Sequence, residues 1–232
     1  MNEDKIEAPI GPRVDSSPAR RPGRITLQGR LVALTPLNSV AHGDALYEGT
    51  RGEAGNQLWR YLFEGPFPDR DAFDLYLQRV AASEDPLFFA IMDRGSGSAA
   101  GYASYLRIEP AHRVIEVGNI LFTSRLQRTP LATEAMYLMA RHVFEDLGYR
   151  RYEWKCNALN APSRRAALRF GFVFEGVFRQ HMIVKGRNRD TAWFSMLDSE
   201  WPSRKASFER WLDPANFEPD GRQKTALSAL NS

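Results

Sequence analysis

One segment constrains this fold more than any other. VIEVGNILF (114–122) is apolar at nearly every position, as suits a strand covered on both faces. A helix follows. Thr129-Pro130 opens it, and Gly148 closes it. Between them Ala132, Ala135, Met136, Met139, Ala140, Val143 and Leu147 recur at spacings of three and four, so the pattern predicts a helix over 130–147. RRYEWKC (150–156) then reads as a second strand. Strand, helix, strand places two strands parallel through a crossover that is nearly always right-handed. Such a unit requires helices packed on a sheet.

The flanking sequence fills in that sheet. GRLVALTPL suggests a strand bounded by Pro36, and helical stretches follow at 39–50 and 69–82. LFFAIMDR (87–94) and YASYLRIE (102–109) read as a hairpin. A short helix over 161–170 ends at Gly171, and FVFEGVFRQHMIVKG with RDTAWFSMLD forms a long hairpin turning near Gly186-Arg187-Asn188. The expected class is α/β (α+β): a mixed, mostly antiparallel sheet around a central βαβ unit, with helices on both faces. Residues 1–23 are expected to be a disordered tail, 24–212 one domain, and 213–232 a second tail.

Composition narrows the chemistry. Cys156 is the one cysteine, which excludes an intramolecular disulfide and a cysteine zinc cluster. The four histidines make no metal pattern with acids, so no metal is expected. No apolar run reaches signal-peptide length or the ~18 residues that span a bilayer, so no membrane partner is expected and the expected setting is cytoplasmic. The net charge of +3 is scattered rather than massed, which argues against a nucleic-acid partner and leaves the local arginines to an anionic small ligand.

LQRTPLATEA (126–135) carries the first functional signal. Thr129 is a natural N-cap and Pro130 falls at the first helical position. No acid occupies the first turn; Glu134 comes later. The backbone N–H groups of Arg128, Thr129, Leu131 and Ala132 are therefore expected at the positive end of the helix dipole, where a phosphate or pyrophosphate fits. A plain helix start bathed in water is the other reading.

Several motifs in order then resemble one family. Gln127-Arg128-Thr129-Pro130-Leu131-Ala132, running on into Thr133-Glu134-Ala135, is similar to the Gln/Arg-x-x-Gly-x-Gly/Ala signature of the GNAT superfamily of N-acetyltransferases, and of its ribosomal-protein-acetylating subgroup. Gln127 and Ala132 match. Pro130 replaces the usual glycine and withholds one N–H, for which the Thr129 hydroxyl or the Arg128 guanidinium is the candidate substitute. Asn160-Ala-Pro-Ser163 with Phe170-Gly171-Phe172 looks like the family's Asn-x-x-Ser…Gly-Phe segment. Glu175-Gly176, Arg179, Lys185-Gly186, Asp190 and Ser195 resemble its closing hairpin, and Glu116-Val-Gly118 its Glu-Ile-Gly. The resemblance spans about residues 25–200 and implies the GNAT-type sheet with acetyl-CoA as co-substrate.

It also implies a site. The parallel strands would splay, and the pantetheine arm would pair with backbone near Leu121, Phe122 and Thr123. Gln127, Arg128, Thr129, Leu131 and Ala132 would hold the pyrophosphate. Asn160 and Ser163 would meet the arm from the second helix. Arg164, Arg165 and Arg169 either reach the adenosine phosphates or form a solvated basic face. The resemblance implies a homodimer as one option for assembly.

Acetyl transfer to an amine needs a neutral nitrogen, hence a base, and a donor for the developing oxyanion. Glu116, the one acid in its apolar run, is the candidate base; an acid paired with an arginine is the alternative. The backbone N–H near Leu121 is the candidate donor to the thioester carbonyl. Cys156 is read as an inert buried thiol rather than an acyl carrier, because no histidine stands near it. His181 either borders the acceptor or is structural. Trp59, Tyr61, Phe63 and Phe67 read as a core wall, with an acceptor lining as the alternative. The expectation is an acetyl-CoA-dependent N-acetyltransferase in which a protein N-terminal amine or a small-molecule amine attacks directly in a ternary complex. Another acyl donor such as succinyl-CoA, with Arg179 or His181 facing its carboxylate, and a non-catalytic acyl-CoA-binding module remain as alternatives.

Overall fold

A computed structural model describes residues 10–231. In chain order the elements are β1 (Leu27–Gln28), β2 (Val32–Pro36), α1 (Ser39–Thr50), α2 (Gly52–Leu58), α3 (Arg70–Ala82), β3 (Leu87–Asp93), β4 (Ser98–Glu109), β5 (Val114–Phe122), α4 (Pro130–Arg141), β6 (Arg151–Asn157), α5 (Ala161–Arg169), β7 (Val173–Val184), β8 (Arg187–Leu197), α6 (Trp201–Leu212) and α7 (Leu227–Leu230). The eight strands form one sheet in the order β1-β2-β3-β4-β5-β6-β8-β7. Its parallel pair is β5 with β6, joined through α4; the other neighbouring strands run antiparallel. The expected mixed, mostly antiparallel α/β (α+β) architecture is therefore the one formed.

Each face of the sheet has its own apolar layer. On one face α4 and α6 pack through Ala135, Met139, Phe208 and Trp211 against Tyr105, Tyr152 and Trp154. On the other, α1 and α3 bring Leu46, Phe73 and Leu77 against Phe88, Tyr102 and Leu121. Trp59 belongs to this second layer, 1% exposed and edge-on to Phe67, so the core-wall reading holds for that residue.

Three expectations are corrected. The crossover helix keeps α geometry to Arg141 and widens into a π turn over His142–Asp146, where the Leu147 N–H reaches back five residues to the His142 carbonyl. Apolar spacing alone does not separate 3.6 from 4.4 residues per turn over so short a stretch. Residues 213–232 are not a loose tail as far as Asn231: Leu227 is fully buried, the Trp211 indole donates to Gln223, and the Asn231 amide donates to the Arg169 carbonyl. Residues 1–9 of the expected first tail lie outside the described residues. The stretch 10–23 has no helix or strand, yet Ala19 is buried and its N–H bonds the Pro110 carbonyl.

Candidate active site

β5 and β6 pair only from Val114↔Arg151 to Val117↔Trp154, and beyond that point they part. The cause is local. Asn119 adopts φ 49° and makes a bulge against β4, fixed where its amide donates to the Ser104 hydroxyl and that hydroxyl donates to the Gly118 carbonyl. The bulge bends β5 away from its parallel neighbour. The gap opens into a cleft of about 1360 Å³. Glu116, Leu121, Phe122, Gln127, Arg128, Thr129, Ala132, Asn160 and Ser163 all line it; Thr123 and Leu131 do not.

Ladder alternation decides which backbone groups face that gap. The Thr123 N–H bonds the Ala100 carbonyl, and a Cβ at Gly101 of β4 would meet the Leu121 carbonyl at 2.3 Å, so both residues turn their backbone toward β4. This corrects the assignment of Leu121 and Thr123 as partners of an arm and of the Leu121 N–H as oxyanion donor. The cleft-facing groups belong to Phe122 and to Ile120 two residues earlier, and the Phe122 carbonyl already accepts from the Gln127 amide at 3.0 Å. Ile120 went unnoticed because a strand's apolar run does not reveal which of its two hydrogen-bonding edges is occupied.

The start of α4 stands at the rim of the cleft. No side chain caps it and its first turn has no acid. Here too the expectation needs correction. The Thr129 hydroxyl donates to the Leu126 carbonyl rather than capping, and the Thr129 N–H bonds that same carbonyl. The uncapped donors are the N–H groups of Leu131 and Ala132, the orphans of any helix start. Arg128, at φ 62°, is the remaining candidate to replace the N–H that Pro130 lacks. From α5 the Arg169 guanidinium donates to the Thr133 hydroxyl at 3.0 Å, which brings a cation onto the first turn of α4. Asn160 caps α5 by accepting from the Ser163 N–H, and the Ser163 hydroxyl accepts from the Trp154 indole, so both residues also hold the wall together.

At the inner end of the cleft, Glu116 is 3% exposed and sits in a chain of charges. Its Oε2 takes Arg107 Nη1 at 2.6 Å and Lys155 Nζ at 2.9 Å. Lys155 also meets Glu153 at 2.6 Å and lies 3.9 Å from the centroid of the Trp193 ring. Arg151 joins Glu153 to Glu175. Two cations on one oxygen offset the desolvation of the carboxylate, and Oε1 carries no hydrogen bond among the described residues. Cys156 is 6% exposed, and burial pushes its thiol up, which suits an inert core residue.

The comparisons with known proteins give the family. Residues 33–173 match the acetyltransferase (GNAT) domain model. The chain belongs to the GNAT acetyltransferase family. A crystal structure of a GCN5-related N-acetyltransferase from Brucella melitensis is 50% identical, with 94% of this chain and 98% of that one covered and a TM-score of 0.92. A probable GNAT-family acetyltransferase from Chromobacterium violaceum is 42% identical, covering 84% and 98%, with a TM-score of 0.78. Among curated proteins, the ribosomal-protein-serine acetyltransferase of Escherichia coli is 34% identical over 101 residues, 43% of this chain. The chain spans a little over half the length of the curated relatives it matches. The GNAT family uses acetyl-CoA as co-substrate. Among the described residues of this chain no helix is long and apolar enough to cross a membrane, and no cluster of His, Cys, Asp and Glu is placed to hold a metal.

Proposed function

We propose that the protein transfers the acetyl group of acetyl-CoA to a primary amine in a ternary complex. The observation that carries this reading is the parting of β5 from β6 beyond Val117↔Trp154, with the uncapped start of α4 at the rim of the gap. The Phe122 N–H and the Ile120 backbone groups meet the pantetheine arm. The Leu131 and Ala132 N–H groups, with Arg128 and Arg169, hold the pyrophosphate. Glu116 takes one proton from the acceptor ammonium. The neutral nitrogen then forms the N–C bond, the C–S bond breaks, and the nitrogen's surplus proton leaves with the sulfur as the thiol of CoA. Loss of turnover in Glu116→Gln, with thermal stabilisation by acetyl-CoA intact, is the expected result. Full activity across pH in that variant would remove Glu116 from the role.

For the acceptor, similarity to a ribosomal-protein-serine acetyltransferase supports a protein N-terminus. A small-molecule amine is supported by contacts that tie the segment after α2 to the loop before α5 and to the β7–β8 turn: the Tyr61 hydroxyl donates to the Leu159 carbonyl, and Lys185 Nζ donates to the Trp59 carbonyl. Thiol release measured with acetyl-CoA and with succinyl-CoA, against N-terminal peptides and simple amines, separates these acceptors and donors. Stabilisation by CoA without thiol release from any amine would instead indicate a binding module.

A further inference from the structure

The polar face of the cleft follows from strand register. In β6, Glu153, Lys155 and Asn157 alternate with the buried Tyr152, Trp154 and Cys156. Glu153 pairs with Glu116 of β5 and with Ser195 of β8; Lys155 pairs with Trp193, and Asn157 with Thr191. Arg189, two residues before Thr191, projects from this same face. Its acids are already engaged: Glu116 by Arg107 and Lys155, Glu153 by Lys155 and Arg151, and Glu175 by Arg151. Asp190 accepts from the Gln180 N–H and the Asn188 amide, and Glu64 pairs with Arg79.

Arg189 stands apart. It is 7% exposed and lines the cleft, yet no carboxylate pairs with it among the described residues. Its Nε donates weakly to the Thr191 hydroxyl at 3.3 Å, and its guanidinium lies 5.1 Å from the centroid of the Phe63 ring. No hydrogen-bond partner holds the two terminal nitrogens among the described residues. A guanidinium removed from bulk water normally has a carboxylate or phosphate across its fork. Burial pushes the Arg189 guanidinium below its ordinary pKa, as befits a cation with no carboxylate paired against it among the described residues.

We infer that Arg189 anchors a carboxylate carried by the acyl acceptor, close to the amine that is acetylated. The inference rests on the acetyltransferase reading and narrows its substrate class to anionic amines. Two sources present this chemistry: the α-carboxylate of a free amino acid, or an acidic side chain at the start of a polypeptide.

Matched pairs test it, each member differing only in charge: free amino acids against their amides, and peptides beginning with Asp or Glu against those beginning with Asn or Gln. With acetyl-CoA saturating, the acidic member of at least one arm is expected to show kcat/KM higher by about tenfold or more. The arm that responds identifies the source. Arg189→Gln should bring that ratio close to one, and Arg189→Lys should retain part of it. Thermal stabilisation by acetyl-CoA reports that both variants are folded. Calorimetry of the N-acetylated acids and amides, with CoA present, reads the same preference without turnover. Equal treatment of acid and amide in both arms would overturn the inference, as would a preference that survives in Arg189→Gln. A preference for succinyl-CoA that depends on Arg189 would also overturn it, assigning the arginine to the donor. Failure of the acetyltransferase reading looks different: no stabilisation by acetyl-CoA and no thiol release with any amine.

Discussion

Glu134 frees a helix start by facing elsewhere. It lies in α4 soon after the uncapped turn, 6% exposed, and its carboxylate accepts the N–H groups of Arg30, Leu31 and Val32 at 3.0, 2.6 and 2.7 Å. A helix side chain that ties down the turn before β2 is unavailable to the helix's own dipole, so the Leu131 and Ala132 N–H groups stay open to a ligand. Glu134→Ala should destabilise the fold by about 3 kcal/mol, because it strands those donors, readable as a shift in the urea midpoint. An unchanged midpoint would mean that water serves the turn equally well. The motif Ala132-Thr133-Glu134-Ala135 is plain in the sequence, but the partners of Glu134 lie about a hundred residues away and no local pattern names them.

At the scale of elements, the ion chain fastens β7 to β6 across the intervening β8. Arg151 grips both oxygens of Glu175, and the Ser195 hydroxyl donates to one of them. The Arg151 guanidinium, helped by Ser195 and opposed by burial, lowers the Glu175 carboxyl from its ordinary 4.5 to about 2. A folded pKa below the unfolded one gives a contribution that is complete above about 4.5 and is lost as the pH falls from there toward about 2. Denaturant midpoints measured from pH 5 down to pH 2 should therefore fall less steeply in Glu175→Gln than in the parent protein. Parallel curves would show that the pair adds nothing. The alternation in RYEWKCN marks one polar face of β6; the sequence does not reveal that this face carries paired charges beside a cleft.

For the whole molecule, the C-terminal segment closes over α5 and α6. The hydroxyl of Ser207 in α6 donates to the Leu230 carbonyl, and Leu227 enters the main core. Leu227→Ala should lower stability by about 2–5 kcal/mol, measured by thermal or urea unfolding. A segment merely resting on the surface would give no change. Its polar, glycine- and lysine-bearing sequence looks loose because so few apolar residues anchor it, and their burial depends on a groove that forms only after α6 has packed.

The sequence by itself determined the parallel unit at the centre, the mixed sheet around it, the acid-free helix start and the family, because periodicity, helix punctuation and motif spacing are local properties. Tertiary structure alone decided that backbone groups of Phe122 and Ile120, rather than those of Leu121 and Thr123, face the cleft; that Glu116 shares an oxygen between Arg107 and Lys155; and that Arg189 has no acid across from it among the described residues. Those outcomes depend on ladder register and on a bulge at Asn119. Both are set by pairing between distant strands, and a shift of one residue would reverse every one of them.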